Sequence, residues 1–455
     1  MYVQSMTLEN VKAFEKLTLE FERPVGHSIP KYAGLNFFVG GNSSGKSTIL
    51  KCLAMALSGP TIANQQLITP AGWLRRGAKR GLIDLRVSWD AKYDQLKTSG
   101  RAPVPDNINV GLKLEPIDGE LTPVLQAKEY RIPGGDKRIL SAQRGPWNAD
   151  ASGWFLGAYG PWRRLTGSST EAVRYALARG KLASCVTLFR EDAALSESET
   201  WLKQQYARTL EQISHSQPAS SMVDQVMEFL NDGLLPSGFR LTRVSVDDVY
   251  METPNGGELP LRDLSDGCRS IYALMLDVIH SMAASYGDKD LFGTDADGRK
   301  VVTKPGVILI DEIESHLHPS WQRTICEWLK TRFPNVQFFI TTHSPITLQA
   351  ADDGGIFVLP LPNELQSGRE VRRLSAEEQK RIVLGRADKV LLGAAFGLKQ
   401  TWSIRAERLV DRWAVLAALS QTGNALTAGE NAELQELREQ VELVFDDPSG
   451  GNGVA

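Results

Sequence analysis

The sequence predicts an α/β fold with a mixed or parallel central sheet, an antiparallel β subdomain, a helical lobe and a C-terminal helical extension. Three observations support this prediction. A glycine-rich segment near residue 40 lies between an apolar strand and an amphipathic helix. Two further apolar strands, near residues 306 and 336, end in acidic or polar side chains. Strands that alternate with helices in this way are typical of parallel sheets, whose ligand sites lie at the carboxyl ends of the strands.

The glycine-rich segment fits a phosphate-binding loop. Residues 40–47 match G-x-x-x-x-G-K-[ST], and the strand and helix that the motif requires flank them. Glycines let the backbone close around a phosphate, while N–H groups and the helix N-terminus attract its charge. Lys46 is then expected to reach the β- and γ-phosphates, and Ser47 to bind Mg²⁺. The alternative is a glycine-rich turn without a ligand.

Length and composition limit the class of protein. The chain has 455 residues and a net charge of −3, so no global basic field indicates a nucleic-acid binder. Four widely spaced cysteines without a C-x-x-C pair favour free thiols in a reducing compartment, which predicts a cytoplasmic protein. The N-terminus has no signal-peptide pattern, and no run of about 18 apolar residues occurs, so we expect no membrane association.

The pattern along the chain predicts one large head followed by a helical segment. The head is expected over residues 1–360, with a β-rich segment over 82–135 and a helical lobe with a hairpin over 170–260. A C-terminal helical segment is expected over 361–445, with apolar positions at helical spacing. Residues 446–455 are rich in glycine and are expected to form a flexible tail.

The strand near residue 306 ends in two acids. Gly306–Ile310 is apolar, and Asp311 and Glu312 follow it directly. Asp311 is placed to hold the Mg²⁺ water shell, and Glu312 to orient the water that attacks the γ-phosphate or to accept its proton. Two acids after an apolar strand are a weak signal alone, but behind a phosphate loop they become a strong one.

The strand near residue 336 ends at Thr341, Thr342 and His343. A histidine at this place can hydrogen-bond the γ-phosphate or the attacking water, which makes His343 a catalytic candidate. The alternative is a turn histidine that caps the following Ser344–Pro345.

A second anion site is predicted where the segment LSDG, residues 264–267, precedes an apolar helix. Ser265 and Gly267 would present a hydroxyl, backbone N–H groups and the helix dipole together. A nucleotide bound at Lys46 cannot easily use this site as well. The alternative is an N-capped helix without a ligand.

The order of these motifs resembles that of the ABC-type ATPases. More narrowly, GGNSSGKST, LSDG and DEIESHLHPSWQ resemble the soluble SMC/RecF-like branch. That branch includes overcoming-lysogenisation-defect proteins and AAA-annotated ATPases of bacterial anti-phage defence systems. The resemblance covers about residues 1–60 and 260–350. It implies an ATP hydrolase with an ABC-type head, with ATP and Mg²⁺ as cofactors.

The resemblance also implies roles for single residues. Asp311 and Glu312 are the Walker B pair, and His343 is the switch histidine. Residues 264–267 are the signature, which contacts ATP on the opposite subunit. Gln143 is a candidate for the glutamine that links Mg²⁺ to the helical lobe, and Lys12 with Phe14 matches a turn near the base and ribose. The implied nucleotide-binding residues are Lys12, Gly40, Asn42, Ser43, Gly45, Lys46, Ser47, Thr48, Ser265 and Gly267, and the implied metal ligands are Ser47, Gln143 and Asp311.

Some features depart from relatives or stay open. No long heptad run lies between the phosphate loop and the signature, so a coiled-coil arm is not expected. Asp266 stands where transporter ATPases carry glycine, which argues against a transporter subunit. Arg163 and Arg164, in a segment resembling defence-type ATPases, are candidates for binding phosphate or a partner. His316 and His318 could be metal ligands, but a dimer-facing loop is the preferred interpretation because too few ligands are present.

Three functions follow as hypotheses. The leading one is an ATPase whose two subunits close around ATP and gate an effector, such as a nuclease, in anti-phage defence. The second is a DNA-repair or recombination ATPase that binds DNA ends. The third is a nucleotide-binding scaffold with little turnover. The expected partners are therefore a second copy of the chain, an effector protein and possibly DNA.

Overall fold

The chain divides by its internal contacts into two compact units, Met1–Val390 and Leu391–Ala455. The structure is a computed structural model. It describes residues 1–22, 32–66, 70–97, 106–116, 123–131, 138–139, 141–165, 167–177, 180–214, 221–235, 238–361, 363–364, 370–421 and 426–445.

The strands are β1 (Tyr2–Val11), β2 (Phe14–Glu20), β3 (Gly34–Gly40), β4 (Gly81–Ser88), β5 (Asn107–Pro116), β6 (Pro123–Ala127), β7 (Tyr130–Arg131), β8 (Arg138–Ile139), β9 (Leu156–Tyr159), β10 (Arg240–Val244), β11 (Val249–Glu252), β12 (Glu258–Pro260), β13 (Phe292–Thr294), β14 (Lys300–Val302), β15 (Gly306–Ile310), β16 (Val336–Thr341), β17 (Ile356–Leu359) and β18 (Arg372–Arg373).

The helices are α1 (Lys46–Ser58), α2 (Pro60–Gln66), α3 (Ser141–Arg144), α4 (Thr170–Ala176), α5 (Lys181–Phe189), α6 (Ser196–Ser214), α7 (Met222–Asn231), α8 (Asp266–Tyr286), α9 (Pro319–Arg332), α10 (Pro345–Leu348), α11 (Ala376–Val383), α12 (Ala387–Leu392), α13 (Ile404–Gln421) and α14 (Ala428–Phe445).

The central sheet has the strand order β18-β17-β3-β16-β15-β9. Its neighbours are parallel except for β18, which pairs antiparallel with β17. The strands β3, β15 and β16 are buried along nearly their whole length, as expected when both faces of a sheet are covered. Their carboxyl ends, at Gly40, Ile310 and Thr341, therefore lie along one edge of the sheet.

A second, antiparallel sheet has the order β2-β1-β4-β5-β6 and confirms the predicted antiparallel subdomain. Helix α1 contacts strands of both sheets, and most of its side chains are buried. A helix that is apolar on all sides is expected where it is covered on all sides. Helix α1 is thus held between the two sheets, with its first turn at the end of β3.

The region of the predicted helical lobe contains α4 to α7, followed by the hairpin strands. Residues 239–252 contain the strands β10 and β11, between which the chain turns where Ser245 N donates to Asp248 O at 2.9 Å. An Asn-Gly-Gly turn connects β11 to β12. The polar segment over residues 286–304 contains the short hairpin β13–β14.

The second unit contains the helices α13 and α14. Arg412 donates to both carboxylate oxygens of Glu433 at 2.8 and 2.7 Å, which joins the two helices through an exposed pair. The contact-based division lies 30 residues beyond the predicted end of the head, and the functional boundary at residue 360 stays a prediction. The predicted tail, 446–455, lies outside the described residues. Within the described part of the chain, every helix is too short or too polar to cross a bilayer.

Candidate functional site

The loop between β3 and α1 has a backbone that requires glycine. Ser43 and Gly45 have positive φ angles of 62° and 98°. A Cβ atom at Gly45 would lie 2.6 Å from Cζ of Phe14, and one at Gly40 would lie 2.6 Å from the Leu359 carbonyl oxygen. Side chains at these glycines would therefore force the loop or its neighbours apart. The two glycines of the motif thus permit the close approach of backbone that a phosphate cradle needs.

Lys46 lies inside this loop. Its Nζ donates to the carbonyl oxygens of Gly40 and Gly41, both at 2.9 Å, and the side chain is only 6% exposed. Burial lowers the pKa of Lys46, while nearby carboxylates, among them Asp311, act against this change. The hydroxyl of Ser44 is buried with no hydrogen-bond partner among the described residues. The buried Lys46 ammonium and the unpaired Ser44 hydroxyl therefore suit the phosphate group that the motif predicts.

The acids that follow β15 meet the end of β16. Because Ile310 pairs with Ile340 in parallel register, Asp311 lies beside Thr341. The Thr341 hydroxyl donates to Asp311 Oδ1 and accepts the backbone N–H of Glu312 at 2.8 Å. Ser315 Oγ donates to Glu312 Oε2 at 3.1 Å. The two acids and the second strand thus form one hydrogen-bonded unit, as the edge of a parallel sheet allows.

His343 follows the same edge, with an exposed side chain. Its backbone N–H donates to Glu314 Oε1, and no described residue hydrogen-bonds its imidazole. Ser344 caps the next helix by accepting the backbone N–H of Thr347 at 3.2 Å, so the capping role does not fall to His343. Glu314 was missed by the sequence reasoning, although an acid two residues after Glu312 was a visible signal.

The signature segment includes the start of α8 and lies against the loop that follows Glu312. Ser265 is the N-cap residue and is exposed, yet its hydroxyl makes no capping bond and donates to Cys268 Sγ at 3.4 Å. Gly267 is buried, and a Cβ atom there would lie 2.6 Å from the His316 carbonyl oxygen. Among the described residues, no hydrogen bond joins Ser265 to Lys46 or its loop. The signature therefore packs on the loop after Glu312 while its own hydroxyl stays accessible.

Gln143 lies near the C-terminal end of helix α1, whereas Ser47 lies at the start of that helix. Gln143 is exposed on α3, and nearby Trp147 donates from Nε1 to Ala56 O at 2.7 Å, close to the C-terminal end of α1. Ser47 lies in the first turn of the same helix, roughly 15 Å away at 1.5 Å per residue. This placement gives no support to Gln143 as a Mg²⁺ ligand. A hydroxyl and a carboxylate, from Ser47 and Asp311, suit the ion as oxygen donors.

Lys12 and the two loop histidines have protein partners. Lys12 Nζ lies 4.1 Å from the centre of the Trp73 ring, a cation–π contact. The His316 ring lies 6.2 Å from the ring of Trp162. His318 caps α9 by accepting the N–H of Ser320 at 3.3 Å. The described residues contain no cluster of three or more His, Cys, Asp or Glu side chains that could hold a metal ion.

The comparisons with known proteins agree with this geometry. A family model described as "AAA domain, putative AbiEii toxin, Type IV TA system" matches residues 183–349. A second model, described as "AAA domain", matches residues 5–86. Together they include the phosphate loop, the signature, the acids after β15 and His343.

The curated relatives match over part of their length. Septu protein PtuA of Bacillus mycoides (strain KBAB4) is 32% identical over 198 residues, covering 44% of this chain and 25% of the relative. Retron Vc95 probable ATPase of Vibrio cholerae is 34% identical, covering 24% of this chain and 19% of the relative. Retron Ec83 probable ATPase of Escherichia coli is 33% identical, covering 30% of this chain and 23% of the relative. The aligned region thus spans about a quarter or less of these relatives.

Among solved structures, an Smc head bound to the C-winged helix domain of ScpA gives a TM-score of 0.47 at 16% identity. The alignment covers 83% of this chain and 99% of the Smc head chain. The SMC head domain from Thermotoga maritima gives a TM-score of 0.38 at 14% identity, and the alignment covers 78% of this chain and 94% of that domain.

Two local features and the two AAA matches together define the class of domain. The features are the phosphate loop and the two acids after the strand that lies two places along the same sheet edge, and the class is an α/β P-loop domain of AAA type. More particularly, over 24–44% of its length the chain is similar to Septu and retron ATPases. The resemblance predicted from the sequence is confirmed.

Proposed function

We propose that the chain hydrolyses Mg-ATP in a site completed by a second copy of itself, and that closure of the two copies gates an effector, such as a nuclease, in bacterial defence. One observation supports the proposed hydrolysis of ATP most directly. The buried ammonium of Lys46 lies within the phosphate loop and within electrostatic range of Asp311 and Glu312. The relatives named for Septu and retron systems support the setting in defence. Four free, buried thiols suit a reducing compartment such as the cytoplasm.

The chain's own residues would divide the chemistry. Lys46 and the N–H groups of its loop would hold the β- and γ-phosphates, and Ser47 with Asp311 would hold Mg²⁺. When bound, Mg²⁺ neutralises charge on the phosphate oxygens. Ser315 fixes Oε2 of Glu312, which leaves Oε1 to orient a water molecule and accept its proton. His343 presents an imidazole that no described residue engages.

The shared site is supported by the start of α8. Ser265 is exposed, its hydroxyl does not cap its own helix, and among the described residues no hydrogen bond joins it to the phosphate loop of the same chain. Anions bind favourably at such helix starts because N–H groups and the helix dipole point at them. We propose that this helix start contacts ATP held by Lys46 of a second copy.

Glu312→Gln tests the hydrolytic part. This variant should bind ATP normally and accumulate as a closed oligomer, because the side chain keeps its shape and loses the proton acceptor. Lys46→Ala should lose nucleotide binding instead. Normal ATP turnover by Glu312→Gln would refute the assignment.

A mixture of two inactive variants tests the shared site. Lys46→Ala and Ser265→Arg each disable both sites of a homodimer, but a mixed dimer keeps one intact composite site. Mixed samples should therefore regain turnover that neither variant shows alone. Mixtures that never exceed the single variants would count against sharing.

A second candidate function, DNA binding, is favoured by the loop before β4. Arg76, Lys79 and Arg80 are exposed, and the described part of the chain offers their side chains no ion pair. Cations that neutralise phosphates give binding that weakens steeply with salt. Salt-dependent binding of duplex DNA that is lost when all three become alanine would support this output, and binding unchanged by the triple variant would exclude this loop.

A further inference from the structure

Arg163 is a buried arginine that follows β9, in the segment that resembles defence-type ATPases. Its side chain is only 3% exposed. The guanidinium donates to four backbone carbonyl oxygens, those of Gly160 and Asp311 at 2.9 Å, Glu312 at 3.1 Å and Ile313 at 3.2 Å. Three of the four acceptors are consecutive residues, and two of them are the acids of the site. The contact brings Arg163 against the backbone that carries the chemistry.

The backbone at Glu312 has an unusual conformation. Its φ angle is 47°, in the left-handed region, which costs roughly 1–3 kcal/mol for a residue other than glycine. Such a conformation persists only where the surroundings determine it. Here the Glu312 carbonyl oxygen accepts from Arg163, and its N–H donates to Thr341 at 2.8 Å. The peptide groups on both sides of this residue are therefore held by the side chains of Arg163, which follows β9, and Thr341, which ends β16.

Arg163 directs its charged guanidinium to backbone carbonyl oxygens and not to the nearby carboxylates. Burial lowers the pKa of Arg163 to about 10, and the carboxylates of Glu314, Asp311 and Glu312 act against this change. None of the four hydrogen bonds goes to these carboxylates. The guanidinium therefore remains charged at neutral pH and fixes the backbone, while the carboxylates keep their acceptor sites for other groups.

Arg163 is not available to bind phosphate, which was one of the roles considered for it from the sequence. Both terminal nitrogens already donate to carbonyl oxygens, and Nε is buried without a partner among the described residues. A planar fork with several donors suits such a cluster of carbonyls, and a lysine ammonium would reach fewer of them.

We propose that Arg163 is a positioning residue for ATP hydrolysis. It holds the backbone of residues 311–313 in the left-handed turn that places the Glu312 carboxylate against the attacking water. This inference rests on the proposed role of Glu312 as proton acceptor. Misplacement of a reacting group by about 1 Å can cost on the order of 100-fold in rate, which sets the expected scale.

The test compares Arg163→Met and Arg163→Lys with a matched control, Arg332→Met. Arg332 is also buried and donates to backbone carbonyl oxygens, those of Lys300 at 3.2 Å and Asp232 at 3.1 Å. It differs in pairing with the Asp232 carboxylate at 2.7 Å and in lying at the end of α9, away from the acids of the site. All variants are assayed for ATP affinity, kcat and the folded fraction. We expect Arg163→Met to lower kcat per folded molecule about 100-fold and Arg163→Lys about tenfold, with ATP affinity within about threefold of wild type. Arg332→Met should lower stability and leave kcat per folded molecule unchanged.

Three results would overturn the inference: unchanged kcat in Arg163→Met, equal losses of ATP affinity and kcat, or a loss of kcat that only follows the folded fraction. If Arg163→Met does not fold, the same criteria apply to Arg163→Lys. Failure of the proposed function is distinguishable, because then Glu312→Gln would hydrolyse ATP normally. An inactive Glu312→Gln together with a fully active Arg163→Met would refute the role of Arg163 alone.

Discussion

Thr341 provides a sharp test of how the two acids are held. Its side chain is fully buried, and its hydroxyl makes two hydrogen bonds, one to Asp311 Oδ1 and one from the N–H of Glu312. Thr341→Val keeps the shape and removes both bonds. Each buried group left unpaired costs about 1–3 kcal/mol, so losing both bonds should lower the free energy of unfolding by roughly 2–6 kcal/mol. ATP turnover should fall as well, because Asp311 and Glu312 both lose an anchor.

Two further threonine variants serve as controls. Thr347 is also fully buried, but its hydroxyl has no hydrogen-bond partner among the described residues. Thr347→Val removes an unpaired hydroxyl, so we expect no loss of stability and a gain of up to about 1 kcal/mol. Thr341→Ser keeps the hydroxyl and deletes one methyl group, which should cost about 1 kcal/mol and preserve most of the turnover.

Urea unfolding followed by tryptophan fluorescence measures the free energies, and a phosphate-release assay measures turnover. The order of stability should be Thr347→Val, then Thr341→Ser, then Thr341→Val. If the two valine variants differ by less than about 0.5 kcal/mol, the hydrogen bonds of Thr341 do not stabilise the protein as argued.

Gly45→Ala should weaken ATP binding and lower the unfolding free energy by about 1–3 kcal/mol, because φ is 98° and the new Cβ would meet Phe14; calorimetry and urea unfolding would measure this. Burial raises the pKa of Asp277 to about 6, so the folded protein holds a proton that the unfolded chain releases near pH 4. Stability from this group therefore falls as pH rises from about 4 to 6. Asp277→Asn, which keeps an acceptor for the Tyr159 hydroxyl, should unfold at higher urea than wild type at pH 7 and lose that advantage near pH 4. Deleting residues 391–455 should spare ATP binding and abolish higher assembly, as gel filtration would show; an insoluble truncation, or one that assembles normally, would favour simple packing of this segment.

The phosphate loop and the two acids could be predicted because each is a local pattern. Residues 40–47 carry their spacing, strand and helix within one short stretch, and Asp311 and Glu312 directly follow an apolar strand. In the same way, alternation along the chain was sufficient to predict the antiparallel sheet. Predicting these features requires no knowledge of contacts between distant segments.

The supporting residues could not be predicted, because their roles arise from contacts between distant segments. Arg163 reaches the acids only because β9 pairs in parallel with β15, from Leu156 beside Val307 to Tyr159 beside Ile310. No periodicity or spacing in the sequence specifies that pairing. Gln143 was a candidate from the family resemblance, and it stays a prediction that its position near the C-terminal end of α1 does not support.

The way the two acids are held differs, and the difference suits their proposed roles. Asp311 accepts a hydrogen bond from Thr341 on Oδ1, which fixes the carboxylate, and no described residue hydrogen-bonds Oδ2, which suits an oxygen that would bind a metal ion. Glu312 is fixed mainly through its backbone, and its carboxylate accepts one bond, from Ser315. A further donor on that carboxylate would occupy Oε1, the oxygen proposed to bind the attacking water. Anchoring the peptide groups instead of the carboxylate therefore allows Glu312 to be immobile and still able to take a proton.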